Sequence, residues 1–240
     1  MANYQDAQQV ADIVFLLDVT GSMAPCIEGL KENISTFIDT LTTKDANNNL
    51  SVKEWRARII GYRDVKADGN DWYVDAPFVK EVAELRTQLS SLKARGGGGE
   101  PESLLDAVYK LCTIGSTEVH SVPDPKKWRH RKSAHRYIIV FTDATYHPAM
   151  DIPEAKSGAV GDVINHIHAH RIGLHLFAPD WKGYDDLSAA NRSEYYPVGK
   201  LETAQADLKA FTRDSGNFRK ILDALAKSIS KSASTEIDNP

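Results

Sequence analysis

Three oxygen-bearing side chains, Asp18, Thr20 and Ser22, alternate along the short stretch Asp-Val-Thr-Gly-Ser-Met. Alternate positions on a tight turn can face one point. A hard cation such as Mg²⁺ takes oxygen ligands in near-octahedral geometry and keeps several waters, so a few side-chain oxygens suffice to hold it. The spacing therefore predicts a divalent-cation site. Capping of the helix predicted to begin at Pro25 is a second use for the two hydroxyls.

The elements around this stretch place it at a sheet edge. The apolar run over residues 13–17 is continuous rather than alternating, which is typical of a central strand buried on both faces of a mostly parallel sheet. An amphipathic helix is predicted to follow. Ligands of open α/β sheets bind at the carboxyl edge of the strands, so the oxygen-rich turn lies where a ligand is expected.

Two later loops offer further oxygen ligands. Four consecutive glycines over 96–99 precede Glu100, Pro101 and Glu102, and Asp143 follows an apolar run over 137–140. A glycine run is expected where backbone bends sharply or approaches another group closely. Pro101 fits the first turn of a helix, which predicts Glu100 at the N-cap. The alternatives are a flexible connection between helices for the glycines and a turn-capping carboxylate for Asp143.

The three loops, in this order, resemble the metal-ion-dependent adhesion site (MIDAS) of von Willebrand factor type A (VWA) domains, and the likeness spans roughly residues 10–230. The resemblance implies that Thr20 and Ser22 bind Mg²⁺ or Mn²⁺ directly by their hydroxyls. It also implies that Asp18 and Asp143 anchor the metal's waters or bind the metal in an alternative state.

The second loop departs from this family. Well-studied members have a threonine there, where this chain offers Glu100, the fifth candidate metal ligand. A carboxylate adds negative charge near the ion and lowers its electrophilicity toward an acidic partner side chain. Glu100 is therefore interpreted as a displaceable internal ligand.

A finer likeness concerns the intracellular VWA subgroup attached to atypical kinases, which has Gly-Gly-Gly-acid-Pro-Glu together with Tyr-Arg-Asp and Asp-Ala-x-x-His segments. This chain matches at Tyr62-Arg63-Asp64 and between Asp143 and His147. Asp64 ends the second strand and could reach the metal edge as an outer carboxylate, but we favour a turn-fixing ion pair between Arg63 and Asp64. For His147, a hydrogen bond to groups around the site and capping of its own loop are equally compatible with the sequence.

Hydrophobic periodicity predicts a Rossmann-like, doubly wound α/β fold whose six-stranded, mostly parallel sheet has the order 3-2-1-4-5-6. Only a short polar turn separates the second strand from the third, so the third is expected to be antiparallel and at an edge. A single domain is predicted over 1–232, followed by a polar tail over 233–240. Strands are predicted at 13–17, 52–62, 73–78, 137–140, 173–178 and 195–198, and helices at 25–41, 79–92, 102–114, 160–170 and 217–229.

Composition and the absence of targeting segments bear on the partners and the cellular location of the protein. The net charge of −4 over 240 residues favours neither nucleic acid nor an anionic membrane as a partner. Cys26 and Cys112 both fall in predicted helices, which suits unpaired thiols in a reducing compartment. The first residues lack the basic and apolar regions of a signal peptide, and no apolar stretch approaches the ~20 residues needed to cross a bilayer. These features predict a cytoplasmic protein.

Two other clusters are expected to lie on the solvent-exposed surface and to bind neither metal nor nucleic acid. His166 and His170 have the i, i+4 spacing of a zinc site, but no cysteine or paired acid accompanies them, and a solvated helix face is predicted. The basic segment over 126–132 precedes the strand that leads to Asp143, so it is predicted at the opposite pole of the sheet, as a solvated loop rather than a nucleic-acid contact.

Catalysis is not expected. Phosphatases of the haloacid-dehalogenase type need a second aspartate two residues after the first, where this chain has Thr20, and neither a phosphate-binding loop nor a nucleophile elbow is present. The prediction is a non-enzymatic, metal-dependent protein-binding module whose partner completes the metal coordination with an acidic side chain. Alternatives are an adaptor of an AAA+ ATPase or of a kinase or phosphatase system with a structural metal, and a hydrolase of phosphoesters that uses a metal-bound water.

Overall fold

The computed structural model describes residues 9–42, 52–214, 216, 226–227 and 229. The strands are β1 (Val10–Asp18), β2 (Glu54–Tyr62), β3 (Tyr73–Val74), β4 (His135–Phe141), β5 (Ile172–Asp180) and β6 (Glu194–Lys200). The helices are α1 (Ala24–Leu41), α2 (Val65–Asp68), α3 (Val82–Ser91), α4 (Leu104–Thr113), α5 (Val160–His170), α6 (Lys182–Ser188) and α7 (Ala204–Arg213). Within these ranges, no helix combines the length and the apolar composition needed to cross a bilayer.

The strands form one six-stranded sheet in the order β3-β2-β1-β4-β5-β6, which confirms the predicted order. All neighbours are parallel except β2 and β3, whose antiparallel pairing at the edge was also predicted. Leu17 at the end of β1 pairs with Phe141 at the end of β4. The loops after these two strands therefore leave the sheet side by side, at the point where the strand order reverses.

Both faces of β1 are buried, as its continuous apolar run predicts. Ile13, Phe15 and Leu17 belong to the apolar cluster that includes α1, whereas Val14 and Leu16 belong to the cluster that includes α4 and α5. Because side chains alternate along a strand, one apolar run supplies both cores. The loop after β1 is thereby attached to a rigid central element.

Helix α4 begins later than predicted, and the placement of Glu100 at its N-cap was wrong. The N-cap is Ser103, and the helix starts at Leu104. The backbone of Glu102 is used elsewhere: its N–H donates to the Thr145 carbonyl at 2.9 Å, and its carbonyl accepts from the His147 N–H at 3.0 Å. This pairing with the loop after β4 holds the second and third loops together.

Other boundaries also differ. Helix α3 starts at Val82 rather than at residue 79, because Val79 exchanges two backbone hydrogen bonds with Ala57. Strand β3 ends at Val74, so Pro77 lies outside it. Helices α2, α6 and α7 were not predicted. Most of the helix predicted over 217–229 and all of the tail over 233–240 fall outside the described residues, so the single-domain boundaries stay a prediction.

The basic segment lies at the opposite end of the sheet, as predicted, but it is not simply a solvated loop. Arg129 is buried and donates from Nε to Asp12 Oδ1 at 2.6 Å, and Arg56 binds the same carboxylate at 2.7 Å. Trp128 is fully buried, with its indole N–H donating to the Leu111 carbonyl at 2.8 Å. The lysines of the segment are exposed. Two of its large side chains thus belong to the core.

The two cysteines and the histidine pair are packed against other parts of the protein. Cys26 and Cys112 are buried, unpaired thiols in α1 and α4, as predicted. His166 and His170 are half-buried rather than solvated. Their rings stack with centroids 6.1 Å apart, and His166 also packs edge-on against Tyr109.

Candidate metal centre

The loop after β1 is organised by local hydrogen bonds. Asp18 Oδ1 accepts from the Thr20 N–H at 2.9 Å and from the Thr20 hydroxyl at 2.7 Å. The Thr20 hydroxyl also lies 3.2 Å from the Ser22 hydroxyl. The alternate spacing of the three residues thus brings their oxygens to one side of the turn, as the sequence predicts.

The loop after β4 joins this cluster. Ser22 donates to Asp143 Oδ1 at 3.0 Å, and Thr142 donates to Asp18 Oδ2 at 2.8 Å. The contact follows from the adjacency of β1 and β4, whose ends are in register. Four of the five predicted ligands, Asp18, Thr20, Ser22 and Asp143, therefore form one contiguous group of oxygens.

The glycine run approaches this group closely at Gly97. The residue has a φ of +93°, and a Cβ atom there would lie 2.4 Å from the Thr20 methyl carbon and 2.7 Å from Glu102 Oε1. Its N–H donates to Asp68 Oδ2 at 2.9 Å. Only glycine fits both the backbone conformation and the space. This agrees with the interpretation of the run as a segment of close backbone approach.

Glu100, the fifth predicted ligand, lies at the mouth of the site. Its side chain is exposed, and Oε2 accepts a hydrogen bond from the Thr145 hydroxyl at 3.3 Å. It borders a cleft of about 420 Å³ that Ser22 and Asp143 also line. The structure therefore brings Glu100 to the cleft but not into hydrogen-bond contact with the other four predicted ligands.

Glu102 is the site residue that sequence reasoning missed. It lines the same cleft and is only 3% exposed, and its Oε2 atom has no hydrogen-bond partner among the described residues. A buried carboxyl oxygen without a partner is costly unless a proton or a cation satisfies it. The signal available in the sequence was a second glutamate directly after the glycine run. Assigning it to a helix concealed its role.

The carboxyl groups lie close enough to disfavour one another's charge. Two effects raise the pKa of Asp18 to about 7: burial is the larger, and repulsion from Asp143 is the smaller. Hydrogen bonds from Thr20 and Thr142 oppose the shift. Burial, followed by repulsion from Asp18 and other acids, raises the pKa of Glu102 to about 9. Burial likewise raises the pKa of Asp143. A divalent cation among them would reverse this balance by favouring the ionised forms.

The donor set fits a hard cation. Hydroxyl and carboxylate oxygens suit Mg²⁺ or Mn²⁺ rather than the softer metals that histidine and cysteine bind. In the ranges that the structure describes, no group of three or more His, Cys, Asp or Glu side chains is arranged to hold a metal by itself. The hydroxyls of Thr20 and Ser22 are therefore needed to complete such a site.

A second polar group lies around Asp64. Asp64 Oδ1 lies 3.0 Å from His147 Nε2, and it accepts from the Ser103 hydroxyl at 3.1 Å. The predicted ion pair between Arg63 and Asp64 was wrong. Arg63 instead donates to three backbone carbonyls, including that of Arg95 at 2.8 Å. His147 thus bonds a neighbouring element, the first of the two uses left open for it.

Comparison with known proteins gives a likeness of fold. No protein-family sequence model and no curated protein sequence matches the chain. Among solved structures, a von Willebrand factor type A protein from Catenulispora acidiphila superposes with a TM-score of 0.52 at 15% identity, covering 86% of this chain and 43% of that one.

Two further structures share the architecture. The pilus adhesin SpaC from Lactobacillus rhamnosus GG gives a TM-score of 0.53 at 12% identity, over 93% of this chain and 31% of that one. Proximal thread matrix protein 1 from the mussel byssus gives 0.51 at 12% identity, over 86% and 48%. The chain spans less than half the length of each of the three. With its sheet order and its antiparallel edge strand, this protein has a von Willebrand factor type A-like α/β fold.

Proposed function

We propose that this chain is a protein-interaction module in which a bound divalent cation, Mg²⁺ or Mn²⁺, supports partner recognition. The VWA-like fold supports protein interaction at a general level. The observation that carries the metal dependence is the convergence of Asp18, Thr20, Ser22 and Asp143 beside the unpartnered Glu102 carboxyl. That arrangement supplies hard oxygen donors at the carboxyl edge of a central strand.

Each type of side chain would have its own role in holding the cation. The hydroxyls of Thr20 and Ser22 would bind the cation directly, and Asp18 and Asp143 would hold it through their charge or through water. Glu102 would supply the buried carboxylate oxygen of the glycine loop. When bound, the cation would neutralise part of the charge of these carboxyl groups and offer an electrophilic surface to a partner.

The other functions stay predictions from the sequence. They are an adaptor role beside an AAA+ ATPase or a kinase or phosphatase system, with a purely structural metal, and hydrolysis of phosphoesters. We favour a non-enzymatic role, because Thr20 stands where a haloacid-dehalogenase-type phosphatase needs its second aspartate. The cytoplasmic location and the likeness to the intracellular subgroup are likewise proposals.

Thermal unfolding with EDTA, Mg²⁺ or Mn²⁺ tests the metal site. At a free metal concentration about 100 times Kd, a ligand that binds only the folded state adds about 2.7 kcal/mol to the free energy of unfolding. We expect this stabilisation in the wild type, and its loss in Ser22→Ala and Asp143→Asn. The matched exposed changes Ser121→Ala and Asp186→Asn should keep it.

Two results would count against the proposal. Equal unfolding temperatures of the wild type in EDTA and in metal would show that no cation binds the folded chain. Loss of the metal response in the control variants as well would show that the response does not come from an ion at this site. If metal binding holds, a pulldown with and without chelator then distinguishes a recognition metal from a structural one, because chelation should abolish partner binding while the fold survives.

A further inference from the structure

We infer that the partner of this cleft presents a basic side chain, lysine or arginine, rather than the acidic side chain expected from the resemblance. The inference rests on the proposed metal-dependent function and specifies the chemistry of the partner. It follows from the charges that line the cleft and from the buried, unpartnered Glu102 carboxyl group within it.

The lining of the cleft is acidic. Its carboxyl groups are Glu100, Glu102, Asp143 and Glu202, and the described residues that line it include no lysine or arginine. Asp18 lies beneath them, fully buried and hydrogen-bonded to Thr20. Lys200, which is close in sequence to Glu202, lines a separate cleft with Asp207. A single dipositive ion therefore leaves the cleft with net negative charge when these carboxyl groups are ionised.

Glu102 would itself supply the carboxylate that an acidic partner would otherwise bring. Its side chain lines the cleft, it is 3% exposed, and its Oε2 atom lacks a hydrogen-bond partner among the described residues. A buried oxygen of this kind needs a cation or a proton. If Glu102 held the ion, its charge together with that of the surrounding acids would offset the charge of the ion, and an incoming carboxylate would meet repulsion.

The mouth of the cleft carries charge that is open to a partner. Glu100 and Glu202 are exposed, and neither forms an ion pair within the described part of the chain. Complementary charges across an interface favour the right partner and exclude the wrong one. An exposed ion pair changes affinity by up to about fivefold, so two rim glutamates can together give a preference of about tenfold or more.

The test uses short fluorescent Gly/Ser peptides whose central residues are all lysine, all glutamine or all glutamate. Their binding to the whole chain is measured by anisotropy in Mg²⁺ at low salt. We expect the lysine peptide to bind about tenfold more tightly than the other two. Glu202→Lys should reduce lysine-peptide binding about tenfold, because it replaces an attractive rim charge by a repulsive one. The matched change Glu118→Lys, on an exposed loop near Trp128 at the opposite pole, should leave it unchanged.

Metal binding is followed separately by thermal unfolding of the same samples. A normal metal response together with a preference for the glutamate peptide overturns this inference alone. Equal binding of the three peptides, including no detectable binding of any, does the same, as does an equal loss in Glu118→Lys. No metal response in the wild type overturns the proposed function, and this inference with it.

Discussion

The Ser22 hydroxyl donates to Asp143 Oδ1 at 3.0 Å, a contact that joins the loop after β1 to the loop after β4 across 121 positions of sequence. The two strands are neighbours in the sheet, and Leu17, one residue before the end of β1, pairs with Phe141, the last residue of β4. The contact therefore depends on the packing of the central strands rather than on either loop alone. It also marks the place where a cation would meet oxygens from both loops.

Replacing Glu102 should change how stability depends on pH in the metal-free protein. Its folded pKa of about 9 lies above the ordinary value of 4.5, so the folded state holds a proton that the unfolded state has lost. Stability from this group is therefore present at low pH and falls as pH rises toward 9, by up to about 1.4 kcal/mol per unit. Glu102→Gln should remove this part of the slope.

Urea unfolding in EDTA at a series of pH values between about 6 and 8 measures the effect. Asp18 also has a raised pKa and contributes in the same direction, so the comparison is the difference between the wild type and Glu102→Gln. Glu118→Gln, an exposed change at the far pole, serves as the matched control. Parallel pH profiles for the wild type and Glu102→Gln would contradict the buried, protonated state of this carboxyl.

Gly97→Ala should destabilise the fold more than Gly99→Ala. Both residues have positive φ, +93° and +108°, so an alanine is strained at either position. Only at Gly97 would the new methyl group meet other atoms, 2.4 Å from the Thr20 side chain; at Gly99 nothing lies within 4 Å. Strain alone costs about 1–3 kcal/mol, and the clash adds to it.

Chemical denaturation of the two variants gives the comparison directly. We also expect Gly97→Ala to weaken the metal response, because the methyl group would displace Thr20 or Glu102, while Gly99→Ala retains it. Equal losses of stability in the two variants would show that the glycine run does not approach the site as closely as described.

The buried charge cluster at the opposite pole should matter for stability alone. Asp12 is fully buried and binds both Arg56 and Arg129, so Asp12→Ala leaves the buried Arg56 guanidinium without a counter-ion and leaves Arg129 with the half-exposed Glu54 alone. Removing one partner of a buried ion pair typically costs about 3–5 kcal/mol. The exposed change Lys126→Ala in the same segment should cost less than about 0.5 kcal/mol.

Calorimetry with and without Mg²⁺ distinguishes an effect on stability at this pole from an effect on the candidate metal site. Asp12→Ala should unfold at a lower temperature, yet its gain on adding metal should equal that of the wild type. A selective loss of the metal response would contradict the structural separation of this cluster from the candidate site.

Both thiols should resist alkylation in the folded protein. Cys112 is fully buried, and burial raises its pKa to about 12; burial also raises the pKa of Cys26. Because the thiolate is the reactive form, iodoacetamide at pH 8 should label the folded chain at least about 100 times more slowly than the chain in denaturant. Mass spectrometry of quenched samples measures the rates. Fast labelling of either cysteine in the folded chain would contradict its burial.

The local parts of the site and the order of the sheet could be predicted from the amino-acid sequence. Asp18, Thr20 and Ser22 lie together because their spacing and their own hydrogen bonds are local. The apolar runs over 13–17 and 137–140 identified two buried parallel strands, and the short turn before residue 73 fixed the antiparallel edge. Periodicity and connection length carry this information within a short stretch of chain.

Which acid of the glycine loop is buried in the cleft depends on contacts between distant parts of the chain. Glu100 and Glu102 differ by two positions, and the sequence favoured Glu100 because the family has a hydroxyl there. The backbone of Glu102 pairs with Thr145 and His147, so its side chain is buried in the cleft while Glu100 stays at the rim. The same pairing delays α4 to Leu104. A contact between loops far apart in sequence leaves no periodic signal, so only the assembled sheet edge settles the choice.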